Sequence, residues 1–253
     1  MTQLSLVVPA YNEERRLPQS LRDIASFFKI KAGMPASDLE ILVVIEKSSD
    51  STLESARNET RGLAPFKVID NVVHRGKGFA VRSGMLKAEG AIVLFMDADL
   101  STPLAEVYKF ISYLNEHPET DVLIGSRADA RSQIEKKQSW FRQTLGRGFN
   151  GFVQTFGIRG IKDTQCGFKA FRGPAAKEIF SRATLNGFAF DVEVLMLARE
   201  LGYKIDVLPV RWINSEDSKV RVLIDPLKML WDLIRIRRIV RKTVQARPKL
   251  IQG

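Results

Sequence analysis

Cysteine is almost missing from this chain. Cys166 is the only one in 253 residues, which excludes a disulfide framework and a thiolate metal cluster. Long apolar runs are missing too, and none reaches the roughly eighteen residues expected of a membrane span. The opening stretch, MTQLSLVVPAYNEE, lacks the basic n-region and small-residue cleavage site of a secretory signal. It is expected to be a first strand, and the protein to be cytoplasmic. Neither internal repeats nor low-complexity segments interrupt the chain.

What is present suits one large α/β unit. Hydrophobic residues make up 45% of the chain, enough for a sizeable core. The net charge of +10 is uneven, because Lys219–Lys249 holds ten Lys/Arg and two Asp. That segment alone supplies +8. A local basic tail of this kind points to an anionic partner.

Apolar runs alternate with helical periodicity along the first hundred residues. Strands are expected at Leu4–Val8, Leu39–Ile45, Phe66–Ile69 and Ile92–Met96. Helices are expected between them, the first capped by Asn12 with Glu13 and Glu14 in its first turn. Asp50 or Ser51 is expected to cap the second. Strand–helix alternation implies a Rossmann-like, doubly wound, mainly parallel sheet. The second half predicts a helix at Pro103–His117, a strand at Val122–Gly125 and an irregular lid-like loop at Ala128–Ser139. It continues with a helix at Trp140–Phe156, a loop and strand in Asp163–Phe171, and helices at Pro174–Phe180 and Phe190–Leu201. A last strand is expected at Lys204–Leu208. No linker divides residues 1–220, which form one expected catalytic domain, and 221–253 is the basic C-terminal segment.

In open parallel sheets, ligands sit beyond the carboxyl ends of the strands. This places Tyr11, Asn12, Glu46, Asp50, Lys77, Asp97 and Asp99 around one crevice. Asp97 and Asp99 leave the fourth strand one residue apart, a seat for a hard divalent cation carrying a diphosphate. Taken alone, the pair also fits a loop and its cap, with Ser101 or Thr102 as N-cap and Pro103 at the first helical position. Lys77 lies in the loop His74–Gly78, where it suits a phosphate as a point charge. Asp191 and Glu193 fit either a helix start or a carboxylate near the reacting centre. Cys166 fits a small core residue better than a nucleophile.

Specific order gives these pieces their weight. VVPAYNEE, the exit loop with Ser48 and Asp50, RGKGFAVRSGMLKAEG, VLFMDADLSTP, GSR, DTQCGFKAF and FDVEVL follow one another through about 220 residues. The set resembles the family 2 glycosyltransferases of the GT-A fold, most of all the polyprenyl- and dolichyl-phosphate glucosyl- and mannosyltransferase type. The resemblance implies an inverting enzyme that uses a UDP- or GDP-sugar with Mg²⁺ or Mn²⁺. Asp97 and Asp99 match the family's D-x-D, Asp99 being the more direct metal ligand. Pro9, Tyr11, Asn12 and Glu13 match its first donor loop, and Asp50 the last acid of its second-strand motif. There Ile45-Glu46-Lys47 stand where D-D-G is usual, so Glu46 is left to accept hydrogen bonds from base or ribose.

The acceptor of such a reaction is a lipid monophosphate, mostly anionic at neutral pH because its second pKa is about 6. It needs positioning by positive charge more than a general base. Arg127 and Arg142 match family positions that hold this phosphate, with Arg147, Ser218 and Lys219 as further candidates. Asp163 and Gln165 are expected to shape the surroundings of the donor sugar and metal. Were the acceptor a hydroxyl, Asp191 would be the general base. A membrane-associated scaffold without catalysis is the remaining alternative.

From Pro226 to about Gln245 a helix is expected. It has an apolar arc of Met229, Leu230, Leu233, Ile234, Ile236, Val240 and Val244 opposite Lys228, Arg235, Arg238 and Lys242. Such a helix suits the anionic cytoplasmic face of a membrane, or else a protein partner or a second copy. With basic residues alternating with aliphatics and no recognisable nucleic-acid module, a nucleic-acid partner is not expected.

Overall fold

The computed structural model describes residues 2–30, 35–129, 132, 158, 160–213 and 225–246. The chain runs β1 (Leu4–Ala10), α1 (Leu17–Ile30), β2 (Leu39–Glu46), α2 (Thr52–Thr60), β3 (Phe66–Asn71), α3 (Lys77–Lys87), β4 (Ile92–Met96) and α4 (Ala105–Glu116). It continues with β5 (Val122–Ser126), β6 (Phe168–Arg172), α5 (Gly173–Arg182), α6 (Phe190–Glu200), β7 (Ile205–Pro209) and α7 (Asp225–Ala246). The seven strands form one sheet in the order β3-β2-β1-β4-β6-β5-β7. β1, β2, β3 and β4 pair in parallel, as do β5 and β7, while β6 runs antiparallel to both β4 and β5.

Both faces of the central strands β1, β2 and β4 are covered, which is why they read as largely apolar runs. Leu6 and Val8 of β1, Ile41 and Val43 of β2 and Leu94 of β4 pack with Leu17, Leu21, Ile24, Ala56 and Phe110 of α1, α2 and α4. Val7, Leu42, Val44 and Phe95 face the other way, onto residues of α3, α5, α6 and α7. Each buried Leu, Ile, Val or Phe contributes about 1.5–3 kcal/mol.

Chain order reverses between β1 and β4. β2 and β3 lie to one side of β1 and β4 to the other, so the crevice opens between the ends of β1 and β4. The register shows how. β1 pairs with β4 only from Leu4 to Val7, but with β2 as far as Ala10. Pro9, which has no N–H to donate, falls where β1 has already parted from β4.

Two expected caps are not found. α1 starts at Leu17, and Asn12 stands five residues earlier with a left-handed φ of 52°. Its side-chain oxygen accepts the Ser49 N–H at 2.9 Å, so it joins two loops instead of capping a helix. Glu13 and Glu14 therefore precede the helix. α4 starts at Ala105, and the Pro103 carbonyl already accepts the Glu106 N–H at 3.0 Å. Neither Ser101 nor Thr102 caps it; the Ser101 carbonyl accepts the Ile213 N–H at 2.8 Å. At α2 the cap is recovered in part: Asp50 Oδ1 accepts the Thr52 N–H at 3.1 Å.

The last helix changes the reading of its apolar arc. Leu233, Ile236 and Val240 are fully buried in the same core as α6, with Val244 packed beside them. Ile234, placed on the same arc by its spacing, is 54% exposed, and Trp231 is 60% exposed. Most of the arc's described residues thus close the protein's own core. The outer face of α7 carries Trp231, Ile234, Arg235, Arg238, Arg241 and Lys242. Among the described residues no helix is long and apolar enough to cross a membrane. The helix expected at Trp140–Phe156, with Arg142 and Arg147, lies outside the described residues, as do most of the expected lid, Ser218 and Lys219.

Candidate active site

Five loops meet at the carboxyl end of the sheet. The β1 and β2 exits are laced together by side chains. Asn12 N–H donates to Ser48 Oγ at 3.1 Å, Glu13 N–H to Thr52 Oγ1 at 2.7 Å and Glu14 N–H to Asp50 Oδ2 at 3.3 Å. Asp50 is thus a brace between loops. Burial works against its charge, but the hydrogen bonds from Thr52 and Glu14 bring its carboxyl below the ordinary value.

Glu46, at the end of β2, is 1% exposed. Its carboxylate accepts the backbone N–H groups of Arg75 and Gly76 at 2.7 and 2.8 Å and meets His74 Nδ1 at 3.0 Å. It therefore shapes the β3–α3 loop, and its carboxylate oxygens are taken up by the chain itself. His74 in turn stacks on Tyr11, ring centroids 4.0 Å apart. Gly76 is needed here for two reasons: its φ is +117°, and a Cβ would lie 2.7 Å from the Asn186 carbonyl.

Asp97 and Asp99 stand at the β4 exit as expected. Their turn is strained: Leu100 adopts a left-handed φ of 51° and its N–H reaches the Asp97 carbonyl at 3.2 Å. Asp97 Oδ1 lies 2.6 Å from Lys77 Nζ. Asp99 Oδ1 accepts the Ser101 N–H at 3.0 Å, and its other oxygen is 4.0 Å from Arg16. Arg16 is itself paired with Glu13 at 2.7 Å, which makes Glu13 a second-layer acid behind Asp99. Gly167, from the loop before β6, leaves room for Asp97: a Cβ there would lie 2.0 Å from Asp97 Oδ2.

Arg127, leaving β5, is engaged with Asp163. Its Nε and terminal nitrogen donate to the two carboxylate oxygens at 2.8 Å each, and its backbone N–H adds a third bond at 2.8 Å. Burial opposes both charges, yet the pair holds them: Asp163 is brought below the usual carboxylate range and the guanidinium stays charged. The Arg127 guanidinium also stands over Trp212, 5.5 Å from the ring centre.

Asp191 and Glu193 begin α6 and have different partners. Glu193 accepts from the Thr184 and Leu185 N–H groups and the Thr184 hydroxyl, so it closes a loop. Asp191 is 3% exposed and pairs with Lys169, itself wholly buried. Burial raises the Asp191 carboxyl above its ordinary value, opposed by the Lys169 and Lys77 charges. Lys77 is shifted upward, because the charges of Asp97 and Asp191 outweigh burial. Burial also drives the Cys166 thiol up to about 12, which rules out a thiolate nucleophile at neutral pH.

The residues present fit a Mg²⁺ or Mn²⁺ ion. Asp97 and Asp99 offer hard oxygen donors and are half-buried. Such ions are held by one or two carboxylates with substrate phosphates completing the shell. Among the described residues no cluster of three or more His, Cys, Asp or Glu side chains forms a self-sufficient cage.

The sequence profile described as Glycosyl transferase family 2 matches residues 5–180. The chain belongs to this family. It is 38% identical over 241 residues to dolichyl-phosphate beta-glucosyltransferase of Drosophila melanogaster, covering 92% of this chain and 74% of the relative. It is 39% identical over 249 residues to that of Saccharomyces cerevisiae, with the same coverage. With the human one it shares 37% over 242 residues, 93% of this chain and 75% of the relative. Among solved structures it resembles glucosyl-3-phosphoglycerate synthase from Mycobacterium tuberculosis in complex with Mn²⁺, uridine diphosphate and phosphoglyceric acid. There the TM-score is 0.67 at 16% identity, over 94% of this chain and 78% of the other. Mannosyl-3-phosphoglycerate synthase from Rubrobacter xylanophilus aligns with a TM-score of 0.65 at 17% identity, over 100% and 77%. The fold is GT-A, and this member of family 2 is a glycosyltransferase.

Reasoning from sequence missed two participants, Lys169 and His74, and did not pair Arg127 with Asp163. Lys169 hides as a charged residue in an otherwise apolar strand. Asp163 and Arg127 stand 36 positions apart. His74 sat in a loop whose lysine and glycines drew attention first. Only Lys169 left a signal, since a lysine within FKAF violates the burial pattern around it.

Proposed function

We propose that this chain moves glucose from UDP-glucose to the phosphate of a dolichyl or similar polyprenyl monophosphate, with inversion. The observation that carries the reading is the Asp97–Lys77–Asp99 cluster at the switch-point crevice of a chain 37–39% identical to dolichyl-phosphate beta-glucosyltransferases. A phosphate oxygen of the acceptor attacks the anomeric carbon as the bond to the diphosphate breaks on the opposite face. A beta product from an alpha-linked donor requires such a single displacement. UDP leaves with the electron pair of that bond.

Lys77 supplies positive charge at the departing diphosphate. Asp97 and Asp99 would hold Mg²⁺ or Mn²⁺, which supplies further charge to the diphosphate when bound. Tyr11 and the laced β1 and β2 loops border the donor. The acceptor phosphate lies on the Arg127 side, with Arg142, Arg147, Ser218 and Lys219 as further candidates. Asp191 favours a phosphate acceptor over a hydroxyl one, because its carboxylate is tied to Lys169 and a phosphate needs no base. The test offers purified protein a panel of UDP- and GDP-sugars, with a short polyprenyl phosphate or the matching polyprenyl alcohol, with and without metal. Product from UDP-glucose with the phosphate alone is expected. Product with the alcohol, or with a GDP-sugar in preference, overturns the reading.

The outer face of α7 fits an anionic membrane surface. Trp231 and Ile234 are its exposed apolar groups, and Arg235, Arg238, Arg241 and Lys242 surround them. On this reading the enzyme works peripherally, at a cytoplasmic membrane face. Trp231→Ala/Ile234→Ser should weaken binding to vesicles containing phosphatidylserine by about 3- to 10-fold while melting unchanged, at roughly 1 kcal/mol of interfacial contact. Unchanged vesicle binding overturns it.

A further inference from the structure

We propose that Lys169 is a positioning residue for sugar transfer: from within the sheet it holds Asp191 and the Cys166–Gly167 peptide, and through them the wall on which Asp97 rests. The inference rests on the transfer reaction proposed above.

Lys169 is the second residue of β6, in register with Phe95 of β4 and Ile124 of β5. It has no exposure at all. Its neighbours Phe168 and Ala170 point into the opposite core. A lysine here is costly to bury, and an apolar side chain of similar volume would fill the place as well or better if filling were all that was required. Its ammonium has three close neighbours: the Asp191 carboxylate, the Cys166 carbonyl at 2.7 Å, and the Phe95 ring at 5.2 Å.

Two of these contacts lead to the reacting end of the sheet. Cys166 is followed by Gly167, whose carbonyl accepts the Asp97 N–H at 3.2 Å. The missing side chain of Gly167 is what admits the Asp97 carboxylate. Anchoring the Cys166 carbonyl therefore fixes the peptide against which Asp97 is seated. Asp191 belongs to α6, on the other side of the crevice, and its charge acts on Lys77, the direct partner of Asp97. Lys169 thus links β6, α6 and the β4 exit while touching neither donor nor acceptor. Glu193, two residues along α6, meets a loop and has no such connection.

The test compares wild type, Lys169→Met and the neutral double variant Lys169→Met/Asp191→Asn. Each is read for melting temperature and for kcat and donor KM in transfer from UDP-glucose to a short polyprenyl phosphate. The double variant removes both charges, so no lone carboxylate remains buried in it. It is expected to melt within a few degrees of wild type yet to lose about 10- to 100-fold in kcat, as losses of supporting contacts do. Donor KM should stay within about threefold, the signature of a contact that matters in the transition state. A double variant with kcat within about threefold of wild type overturns the proposal. So does one that fails to fold, since the pair would then serve stability alone. If wild type itself transfers nothing to the lipid phosphate, the reaction assigned above fails. The same three proteins are then ranked by hydrolysis of UDP-glucose to glucose and UDP, which needs no lipid and judges Lys169 separately by the same criteria.

Discussion

The two ends of the sheet carry buried charge at different density. At the amino end, Glu40 of β2 is 4% exposed and fully partnered. It accepts from the Ser5 hydroxyl at 2.6 Å and the Glu89 N–H at 3.0 Å, and pairs with Lys67 at 2.7 Å. Burial opposes its charge, but these contacts win and its carboxyl falls below the ordinary value. At the carboxyl end, Asp97, Asp99, Asp163 and Asp191 crowd together with Lys77, Arg127 and Lys169, and Asp191 is shifted upward instead. One end joins strands at low free energy. The other keeps charge concentrated, with Leu100 held in a left-handed turn beside it. Groups arranged to meet a ligand are only partly satisfied without it, and the difference between the ends expresses that.

Substitutions should separate the ends cleanly. Asp99→Ala has the largest expected effect, a loss of about 100- to 1000-fold in kcat. Its melting temperature should be unchanged or slightly higher, because a repelling charge is removed. Steady-state transfer together with thermal unfolding checks this, and a large fall in melting would erase the contrast. Gly167→Ala comes next. The new methyl group displaces the Asp97 carboxylate, the free end of a side chain, so a loss of about 10- to 100-fold in activity is expected with little loss of stability. Far smaller catalytic effects are expected from Glu40→Gln at the amino end. It should leave kcat and KM unchanged and lower stability by about 1–3 kcal/mol, a few degrees of melting temperature in a chain this long.

Glu40 also sharpens the comparison through pH. Its folded pKa lies below its ordinary value of 4.5, so the stability it contributes is fully present above 4.5 and is lost as pH falls through the folded value. The gap in melting temperature between wild type and Glu40→Gln should be constant near neutrality and narrow below pH 4.5. A gap that widened with acid would contradict the assignment.

Much of the fold was readable because both faces of the central strands are buried. β1, β2 and β4 needed only continuous apolar runs, and Asp97 and Asp99 could be placed at a strand exit once β4 was recognised. The caps were harder. Asn12 has the composition of a cap, but its side chain found Ser49 in the neighbouring β2 exit loop, a partner no local window contains. The arc of α7 was visible as a period, yet spacing cannot tell a membrane from the protein's own core. Leu233, Ile236 and Val240 went inward because α6 offered a dry surface there.

Sequence alone therefore determined the alternating architecture, the family and the acids at the strand exits, all properties of local pattern and ordered motif. Tertiary structure alone decided which charges meet. The antiparallel β6, inserted between β4 and β5, brings Lys169 beneath Asp191 and Gly167 against Asp97, while the loop before it carries Asp163 to Arg127. The physical reason is that an ion pair depends on distance and on exclusion of water. Both are set here by strand register and by helices packed across the sheet, between residues far apart in the chain.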